Sequence, residues 1–300
     1  MTDDGSEATS VALAERDWRL IRDEARDGAT QMALEEVAVE TALEEDVRTV
    51  RVYGWEPSAL TMGYHQRAES VDWAYCDREE IDVTRRQTGG GGIYHDAYGD
   101  VAYTIVVPAE EVPGDLMDCY ELLCEPIVEA LRRLGVDAEF ATEERPSVHQ
   151  PACYLRDVHP AHDVVVPAST TAEAGENDDG ARKISGNAQY RRRDAVIQHG
   201  SITYARDPEH HLGVFADHAV SPGRFAERVT SVREETGSGA DDDPVSRERA
   251  VQTLENALGE WCDADTGEWR DDELEAAAAV VERKYGADSW VRSREVLETR

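Results

Sequence analysis

The residues best suited to chemistry lie in two short stretches, and the first is a run of glycines behind two arginines. Arg85 and Arg86 precede four glycines at 89–92 in the segment RRQTGGGGIYHD, and an apolar, β-branched run follows at 101–107. Glycine permits positive φ and lets backbone amides approach a ligand, so this run is typical of a phosphate or carboxylate cradle. The arginines would supply charge to hold the anion. The alternative is a flexible surface loop, because neither a P-loop nor a dinucleotide-binding motif is matched.

The second stretch, ARKISGNAQYRRRDAVIQHGSITY, carries Lys183. Its pattern predicts a strand containing Lys183, a turn at residues 185–187 and a second strand around residues 197–202. Lys183 and Lys284 are the only lysines, so 31 − 2 = 29 of the basic residues are arginine. A lysine in such a chain indicates a task for a compact ammonium that reaches one oxygen as a point charge. The alternative is a surface lysine without a function.

Cysteine usage indicates a reducing compartment. The five cysteines are Cys76, Cys119, Cys124, Cys153 and Cys262, and they form no CxxC pair. With no signal peptide and no apolar run of membrane-spanning length, the sequence predicts a soluble, cytoplasmic protein that does not bind a membrane. Cys153 lies in a loop that enters a predicted strand. It is either a nucleophile, which requires a stabilised thiolate, or a half-buried and unreactive thiol.

The charge of the chain is strongly acidic, with a formal net charge of −33 and a pI near 4.5. Self-repulsion opposes a compact fold in dilute buffer, but at molar salt the Debye length is about 3 Å and the repulsion is screened. Acidity and scarce lysine together predict a halophilic protein from a salt-rich cytoplasm. They exclude nucleic acid as a general partner, because no basic face is available to neutralise phosphates. The histidine clusters lack ligand spacing, so no metal site is predicted within the protein.

Hydrophobic periodicity predicts one large folded unit with a smaller C-terminal part. Residues 1–15 are acidic and turn-rich, which predicts disorder. The predicted helices lie at 31–43, 121–134, 245–258 and 271–285, and early strands lie at 49–53 and 59–63. We expect a main domain at 16–233, a linker at 234–244 and a helical segment at 245–300 that packs on the main domain. The acidic stretch 168–180 is expected to be a mobile surface loop.

The chain resembles the lipoate-protein ligase and octanoyltransferase family, whose members attach lipoyl or octanoyl chains to a lysine of lipoyl domains. The matching segments occur in family order and cover nearly the whole chain: QMALEE, RVYGWEPSALTMGYHQ, RRQTGGGGIYHD, RKISGNAQ, QHGSI and ERKYGADSW. The resemblance implies an α+β domain of the class II synthetase and biotin-ligase type, with a mixed, mainly antiparallel sheet flanked by helices.

The resemblance implies, as the preferred activity, an ATP- and Mg²⁺-dependent lipoate-protein ligase. Such an enzyme joins lipoate to the α-phosphate of ATP and then passes the lipoyl group from lipoyl-AMP to the acceptor lysine. The acceptor would be the lipoyl domain of a 2-oxoacid dehydrogenase E2 subunit or the glycine cleavage H protein. Lys183 would stabilise charge in both steps. The nucleotide would be bound by Arg86, Gly91, Gly92, Ile93, Tyr94, His95 and Lys183. We expect that a separate subunit supplies the accessory domain of many ligases, or that the reaction does not need it.

Two alternatives to the ligase stay open. In the octanoyltransferase branch of the family a nucleophilic cysteine occupies the position of Cys153, which would take octanoyl from a carrier-protein thioester while Lys183 polarises the carbonyl. The sequence around Cys153 and QHGSI favours this transferase. The segments HDAYGD and KISGN favour the ligase. A salt-adapted cytoplasm does so too, because it suggests an archaeal source, and archaea generally lack the acyl-carrier-protein route of fatty-acid synthesis. The other alternative is a non-catalytic protein that binds lipoyl groups or nucleotides.

Overall fold

The computed structural model describes residues 13–22, 24–158, 162–168, 180–237 and 243–297. The strands are β1 Trp18–Arg22, β2 Arg48–Tyr53, β3 Ala59–Met62, β4 Asp82–Arg85, β5 Ile93–His95, β6 Asp100–Pro108, β7 Glu139–Phe140, β8 Asp163–Val166, β9 Arg182–Arg191, β10 Ala195–Thr203 and β11 Asp265–Gly267. The α-helices are α1 Gly28–Glu44, α2 Trp73–Arg78, α3 Leu116–Arg133, α4 Pro208–Gly213, α5 Pro222–Ala226, α6 Val232–Thr236, α7 Arg247–Cys262, α8 Asp271–Val280 and α9 Asp288–Ser293. Among these residues, no helix is long and apolar enough to cross a lipid bilayer.

Eight strands form one sheet in the order β11-β1-β2-β6-β10-β9-β8-β7. Strand β1 pairs in parallel with β2 and β11, whereas the remaining pairings are antiparallel. Helix α1 packs on one face, and α3 and α7 pack together on the other. The predicted α+β class, with a mixed and mainly antiparallel sheet flanked by helices, is therefore confirmed.

Strand β6 shows why the sheet is covered on both faces. Its side chains alternate, so that Val101, Tyr103 and Ile105 join the hydrophobic cluster beneath α3 and α7. Ala102 and Val106 join the opposite cluster, beneath α1. Successive strand residues point to opposite faces, so an apolar run of this kind is stable only between two layers of helices.

A second, three-stranded sheet has the order β4-β3-β5 and carries the glycine run between β4 and β5. Gly63 follows β3 directly. A Cβ atom on Gly63 would lie 2.0 Å from the carbonyl oxygen of Gly90, so only glycine allows this close approach. The end of β3 and the glycine loop, residues 86–92, are therefore packed backbone to backbone.

The prediction of a turn at residues 185–187 is wrong. Strand β9 runs without interruption through these residues and pairs with β10 from Ser185 to Arg191, and the chain reverses only at residues 192–194. Small and polar residues occur here for another reason. Gly186 lies beside the thiol of Cys153, and the Asn187 side chain accepts a hydrogen bond of 2.7 Å from the hydroxyl of Tyr103. The contacts of these small and polar residues within a strand, and not a turn, therefore explain their occurrence.

The C-terminal part adds to the main fold. Helix α7 packs on α3, α8 packs on α1, and the unpredicted strand β11 extends the large sheet beyond β1. Residues 281–285 continue α8 as one π-helical turn. The predicted disorder at 1–15 and the predicted loop at 168–180 fall largely outside the described residues. Of the predicted linker, residues 234–236 belong to α6 and residues 238–242 lie outside the described part.

Candidate active site

A cavity of about 360 Å³ lies where the two chemically promising stretches meet. This volume is within the range of small-molecule sites. Its wall includes five of the predicted site residues, namely Arg86, Ile93, His95, Cys153 and Lys183. The other three, Gly91, Gly92 and Tyr94, are not part of that wall. The hydroxyl of Tyr94 instead donates a hydrogen bond to Asp96.

Lys183 is held on β9 with its ammonium group in the cavity wall. Its side chain is only 2% exposed, and Nζ lies 2.9 Å from Oδ1 of Asp163 on β8. A second hydrogen bond of 3.3 Å runs from Nζ to the carbonyl oxygen of Cys153. An ammonium group has three N–H donors, so the described residues occupy two of them and leave one for a ligand. The pairing with Asp163 compensates the burial of the charge. The sequence had not indicated Asp163.

Cys153 is half-buried, whereas the other four cysteines are buried. Burial raises the pKa of Cys76, Cys124 and Cys262 to about 12, so these groups stay protonated and unreactive at neutral pH. The backbone N–H of Cys153 donates to the carbonyl oxygen of Gly92 at 2.8 Å, which fixes the cysteine against the glycine loop. A Cβ atom on Gly186 would lie 3.5 Å from Sγ.

Arg86 organises the glycine loop from its buried side. Its Nε donates to Oγ1 of Thr88 at 2.8 Å, Nη1 donates to the carbonyl of Thr61 at 2.8 Å, and Nη2 donates to the carbonyls of Gly89 and Gly91 at 2.8 and 2.7 Å. Burial lowers the pKa of this arginine, which is 2% exposed. The N–H groups of the guanidinium therefore form hydrogen bonds within the protein. Its role in phosphate binding stays a prediction.

The bonds to Arg86 also turn an amide outward. In a trans peptide the C=O and the following N–H point in opposite directions, so a Gly89 carbonyl bound to Arg86 directs the N–H of Gly90 away from it. Gly90 has a φ of 92° and lines the cavity. Within the described part of the chain this N–H has no acceptor. It is therefore available to an anion or a carbonyl oxygen in the cavity.

A buried hydrogen-bond chain supports Arg86 from behind. Oγ1 of Thr88 lies 2.8 Å from Nε2 of His199, whose Nδ1 lies 2.9 Å from the carboxylate of Glu35. Burial alone would raise the pKa of Glu35, but the charge and hydrogen bond of His199, aided by Arg51, bring it below its usual value. The carboxylate is therefore ionised beneath the loop. No sequence motif had indicated Glu35, and His199 stood out only as part of the segment QHGSI.

The other end of the cavity is largely aromatic. Trp55 stacks on His95 with ring centroids 4.0 Å apart, and Met32 and Tyr53 complete an apolar wall. His95 is held by Thr61, with Nε2 at 2.9 Å from Oγ1, and by Asp100 at Nδ1. Burial lowers the pKa of His95, which keeps the imidazole neutral at pH 7. Such a wall suits an alkyl chain, because burial of apolar surface is favourable.

Arg156 is a cavity cation that the sequence did not reveal. It follows the 3₁₀ turn Cys153–Leu155 and lines the cavity beside Asp157. Its Cδ would lie 2.9 Å from a Cβ atom on Gly91. Among the described residues, no hydrogen-bond acceptor or carboxylate pairs with its guanidinium. No motif marks this residue, so only the fold shows that it lies beside the glycine loop.

The geometry combines a thiol, an ammonium group, an outward-facing amide and an apolar wall, and sequence comparison supplies the family. The model of the lipoyl protein ligase A/B catalytic domain matches residues 27–259. The chain belongs to this family. Lipoyl or octanoyl transfer is thus its general chemistry, and the protein is an enzyme.

Similar proteins lie in the octanoyltransferase branch of the lipoyl protein ligase family. Octanoyltransferase LipM of Kyrpidia tusciae is 33% identical over 290 residues, which cover 91% of this chain and 97% of that protein. Octanoyltransferase LipM of Symbiobacterium thermophilum is 30% identical over 298 residues, with 92% and 98% covered.

Solved structures of lipoate ligases share the fold. A bipartite lipoate-protein ligase from Thermoplasma acidophilum, described in a structural analysis that also covers its E2 lipoyl domain, gives a TM-score of 0.71 at 23% identity and covers 95% of this chain and 100% of that one. Lipoate-protein ligase A bound with ATP also gives 0.71 at 23% identity, covering 93% and 100%. These likenesses show the fold alone. Within the described residues, no group of three or more His, Cys, Asp or Glu side chains could hold a metal ion.

Proposed function

We propose that this protein is an octanoyltransferase that carries the acyl group on Cys153 and passes it to the lysine of a lipoyl domain. The observation that carries the proposal is the convergence of the half-buried thiol and the ammonium group of Lys183 on one cavity wall. The Lys183 Nζ lies 3.3 Å from the backbone oxygen of Cys153, so a direct hydrogen bond holds the two residues together. The similarity to two octanoyltransferases over nearly their whole length supports the proposal.

The first half of the reaction forms a thioester on the enzyme. The sulfur of Cys153 attacks the carbonyl carbon of a donor thioester, a new C–S bond forms, and the donor thiol leaves with the proton. The free donor of Lys183 and the outward N–H of Gly90 stabilise the negative charge that develops on the carbonyl oxygen. The apolar wall with Trp55 holds the alkyl chain. Two-step transfer of this kind replaces one difficult step by two easier ones.

The second half moves the acyl chain to the acceptor protein. The amine of the acceptor lysine attacks the Cys153 thioester, an amide bond forms, and the C–S bond breaks. The proton lost by the amine balances the one that the sulfur regains. The same two donors stabilise the second oxyanion, so Lys183 serves both steps. No nucleotide is consumed.

A second candidate is the ATP-dependent lipoate ligase, and Arg156 is the observation that favours it. An unpaired guanidinium beside the glycine loop suits the phosphate of an acyl-adenylate, because arginine binds phosphate bidentately. Lys183 and the Gly90 amide would then serve the carbonyl and the phosphate. Mg²⁺ would arrive with the phosphates of ATP, and Cys153 would take no part in the transfer. The cradle at Gly91, Gly92 and Tyr94 and the nucleotide contacts of Arg86 and His95 belong to this candidate.

Intact-mass analysis of a lipoyl domain separates the two candidates. The purified protein is mixed with a lipoyl domain in molar KCl, in one reaction with an octanoyl thioester and no nucleotide, and in another with lipoate, ATP and Mg²⁺. We expect an octanoyl mass gain in the first reaction and an acyl-enzyme adduct on the protein itself. Cys153→Ala should abolish both, whereas Cys124→Ala is the matched control at a buried thiol.

A lipoyl gain that requires ATP and survives in Cys153→Ala would establish the ligase instead. Equilibrium binding of lipoate and ATP without any mass gain on the lipoyl domain would support the non-catalytic alternative. A gain that appears only after a second subunit is added would show that a separate subunit supplies the accessory domain.

A further inference from the structure

The C-terminal anchor, which we define as residues 281–291, crosses the outside of the segment that leads into the glycine loop. None of its residues lines the cavity. It contains the family segment ERKYGADSW and the second lysine of the chain, Lys284. The proposed chemistry leaves these residues without a role, although three of their hydrogen bonds go to Thr84 and Arg85, just before the glycine loop.

Three backbone-directed hydrogen bonds tie the anchor to the end of β4. Oγ1 of Thr84 donates to the carbonyl of Tyr285 at 2.8 Å, and Nε of Arg85 donates to the carbonyl of Val291 at 2.9 Å. In return, Nε1 of Trp290 donates to the carbonyl of Arg85 at 2.8 Å. All three bonds are buried, where the loss of one partner leaves an unsatisfied polar group.

A second set of bonds converges on the carboxylate of Glu36 in α1. One oxygen, Oε1, accepts from Nζ of Lys284, from the hydroxyl of Tyr285 at 2.6 Å and from Nε2 of Gln87 at 2.8 Å. The ammonium group also lies 4.5 Å from the ring centroid of Trp290. The anchor and the residue two places before the glycines therefore share one acceptor atom.

Arg85 extends the support to the opposite side of the loop. Its Nη1 donates to the carbonyls of Gly63, Tyr64 and Gln66 at 2.8, 3.0 and 2.7 Å. Gly63 packs directly on the backbone of Gly90. A displacement of the anchor would thus reach Gly90 by two routes, through residues 84–87 and through residues 63–66.

We propose that Lys284, through Glu36 and Gln87, is a positioning residue that holds the glycine loop in the conformation needed for acyl transfer. It touches neither substrate nor reacting atoms. Its effect on catalysis rests on the proposed function, but its effect on the order of the loop does not. Small displacements of positioned groups are costly in catalysis, so the loop must be held from outside the cavity as well as by Arg86.

Hydrogen exchange of the peptide that covers residues 84–95 tests the proposal without any assay of activity. Lys284→Met removes the ammonium group but keeps the apolar stem over the rings. Gln87→Met leaves the pair of Lys284 and Glu36 intact and cuts only the bond to the loop. Arg19→Met is the matched control, because it breaks another buried ion pair, Arg19 with Glu273 at 2.6 Å, that joins α8 to β1 and makes no hydrogen bond to residues 84–92.

We expect exchange in this peptide to be about tenfold faster in Lys284→Met and in Gln87→Met, and unchanged in Arg19→Met, because local opening follows the local contacts. Acyl transfer from an octanoyl thioester should show a kcat lowered by about tenfold, or ~1.4 kcal/mol, with an unchanged KM for the acceptor domain. Unaltered exchange in both Lys284→Met and Gln87→Met would overturn the proposal. Faster exchange without any transfer activity in the wild type would instead overturn the proposed function and leave the positioning role intact.

Discussion

The two lysines of the chain are both buried, and each is paired with its own carboxylate, yet their surroundings differ. Lys183 lies on a strand between two sheet neighbours, 2.9 Å from Asp163, with one donor left towards a cavity. Lys284 lies in a helical turn against Glu36, with two aromatic rings at 4.7 and 4.5 Å, and it does not line the cavity of the candidate active site. A buried ion pair is thus no sign of catalysis by itself. A remaining donor beside a cavity is the feature that distinguishes Lys183, the lysine that we propose to be catalytic.

The largest expected effect concerns Lys183. Lys183→Met keeps the length of the side chain and removes the charge, so both oxyanions lose a preorganised donor. Loss of one such donor typically lowers kcat by about 10²- to 10³-fold. Single-turnover formation of the acyl-enzyme and its transfer to the lipoyl domain are measured separately, and both should slow. Lys284→Met, measured in parallel, should lower kcat by only about tenfold.

Equal losses in the two variants would remove the distinction between the lysines. A Lys183→Met variant that slows only the second step would restrict the role of Lys183 to the acceptor amine. In either case the circular dichroism of both variants must match the wild type, because truncation removes the positive charge opposite the buried carboxylate of Asp163 or Glu36.

Asp163→Asn sharpens the comparison at an intermediate level. The amide keeps an oxygen near Nζ of Lys183 but removes the charge that holds the ammonium group at 2.9 Å. We expect about a tenfold fall in kcat, ~1.4 kcal/mol, with an unchanged KM for the donor thioester. Asp157→Asn is the matched control, because Asp157 lines the same cavity but does not pair with Lys183. A loss as large as that of Lys183→Met would mean that the pair, and not the ammonium group alone, acts on the substrate.

The sequence identified the parts of the site that carry local signals. The glycine run, Lys183 and Cys153 stand out by residue type, and the structure brings Gly90, Lys183 and Cys153 to one cavity. The helices and early strands followed from apolar periodicity and were confirmed within a few residues. The short strand β11 has the acidic sequence DTG and owes its place to pairing with β1, which no local pattern predicts.

The supporting residues could not be predicted, because their partners are distant in sequence. Glu35 meets His199 across 164 positions, and Lys284 meets Glu36 across 248. Local signals even misled at residues 185–187, where turn-forming types lie in a strand because a thiol and a buried hydroxyl are their neighbours. The specific donor and the salt adaptation remain predictions, because they depend on partners and solvent.

The smallest expected effect on activity concerns the ion pair of Glu273 and Arg19, neither of which lines the candidate-site cavity. Burial alone would raise the pKa of Glu273, but hydrogen bonds from Arg19, the Arg270 backbone and Thr41 lower it to about 2. A carboxylate with a lowered folded-state pKa stabilises the fold above its unfolded value of about 4.3. That stabilisation is lost as the pH falls from there to about 2.

Urea unfolding between pH 7 and pH 3 in molar KCl measures this loss. We expect Glu273→Gln to be less stable than the wild type by roughly 2 to 3 kcal/mol at pH 7, with the difference shrinking towards pH 3. Acyl transfer at pH 7 should be unchanged, because this pair joins α8 to β1 and not to the glycine loop. A fall in kcat without a change in stability would mean that any buried ion pair of the C-terminal part reaches the cavity, and the special position of Lys284 would then be lost. Unchanged turnover in Glu273→Gln beside lowered turnover in Lys284→Met would place the coupling in the contacts of residues 281–291 alone.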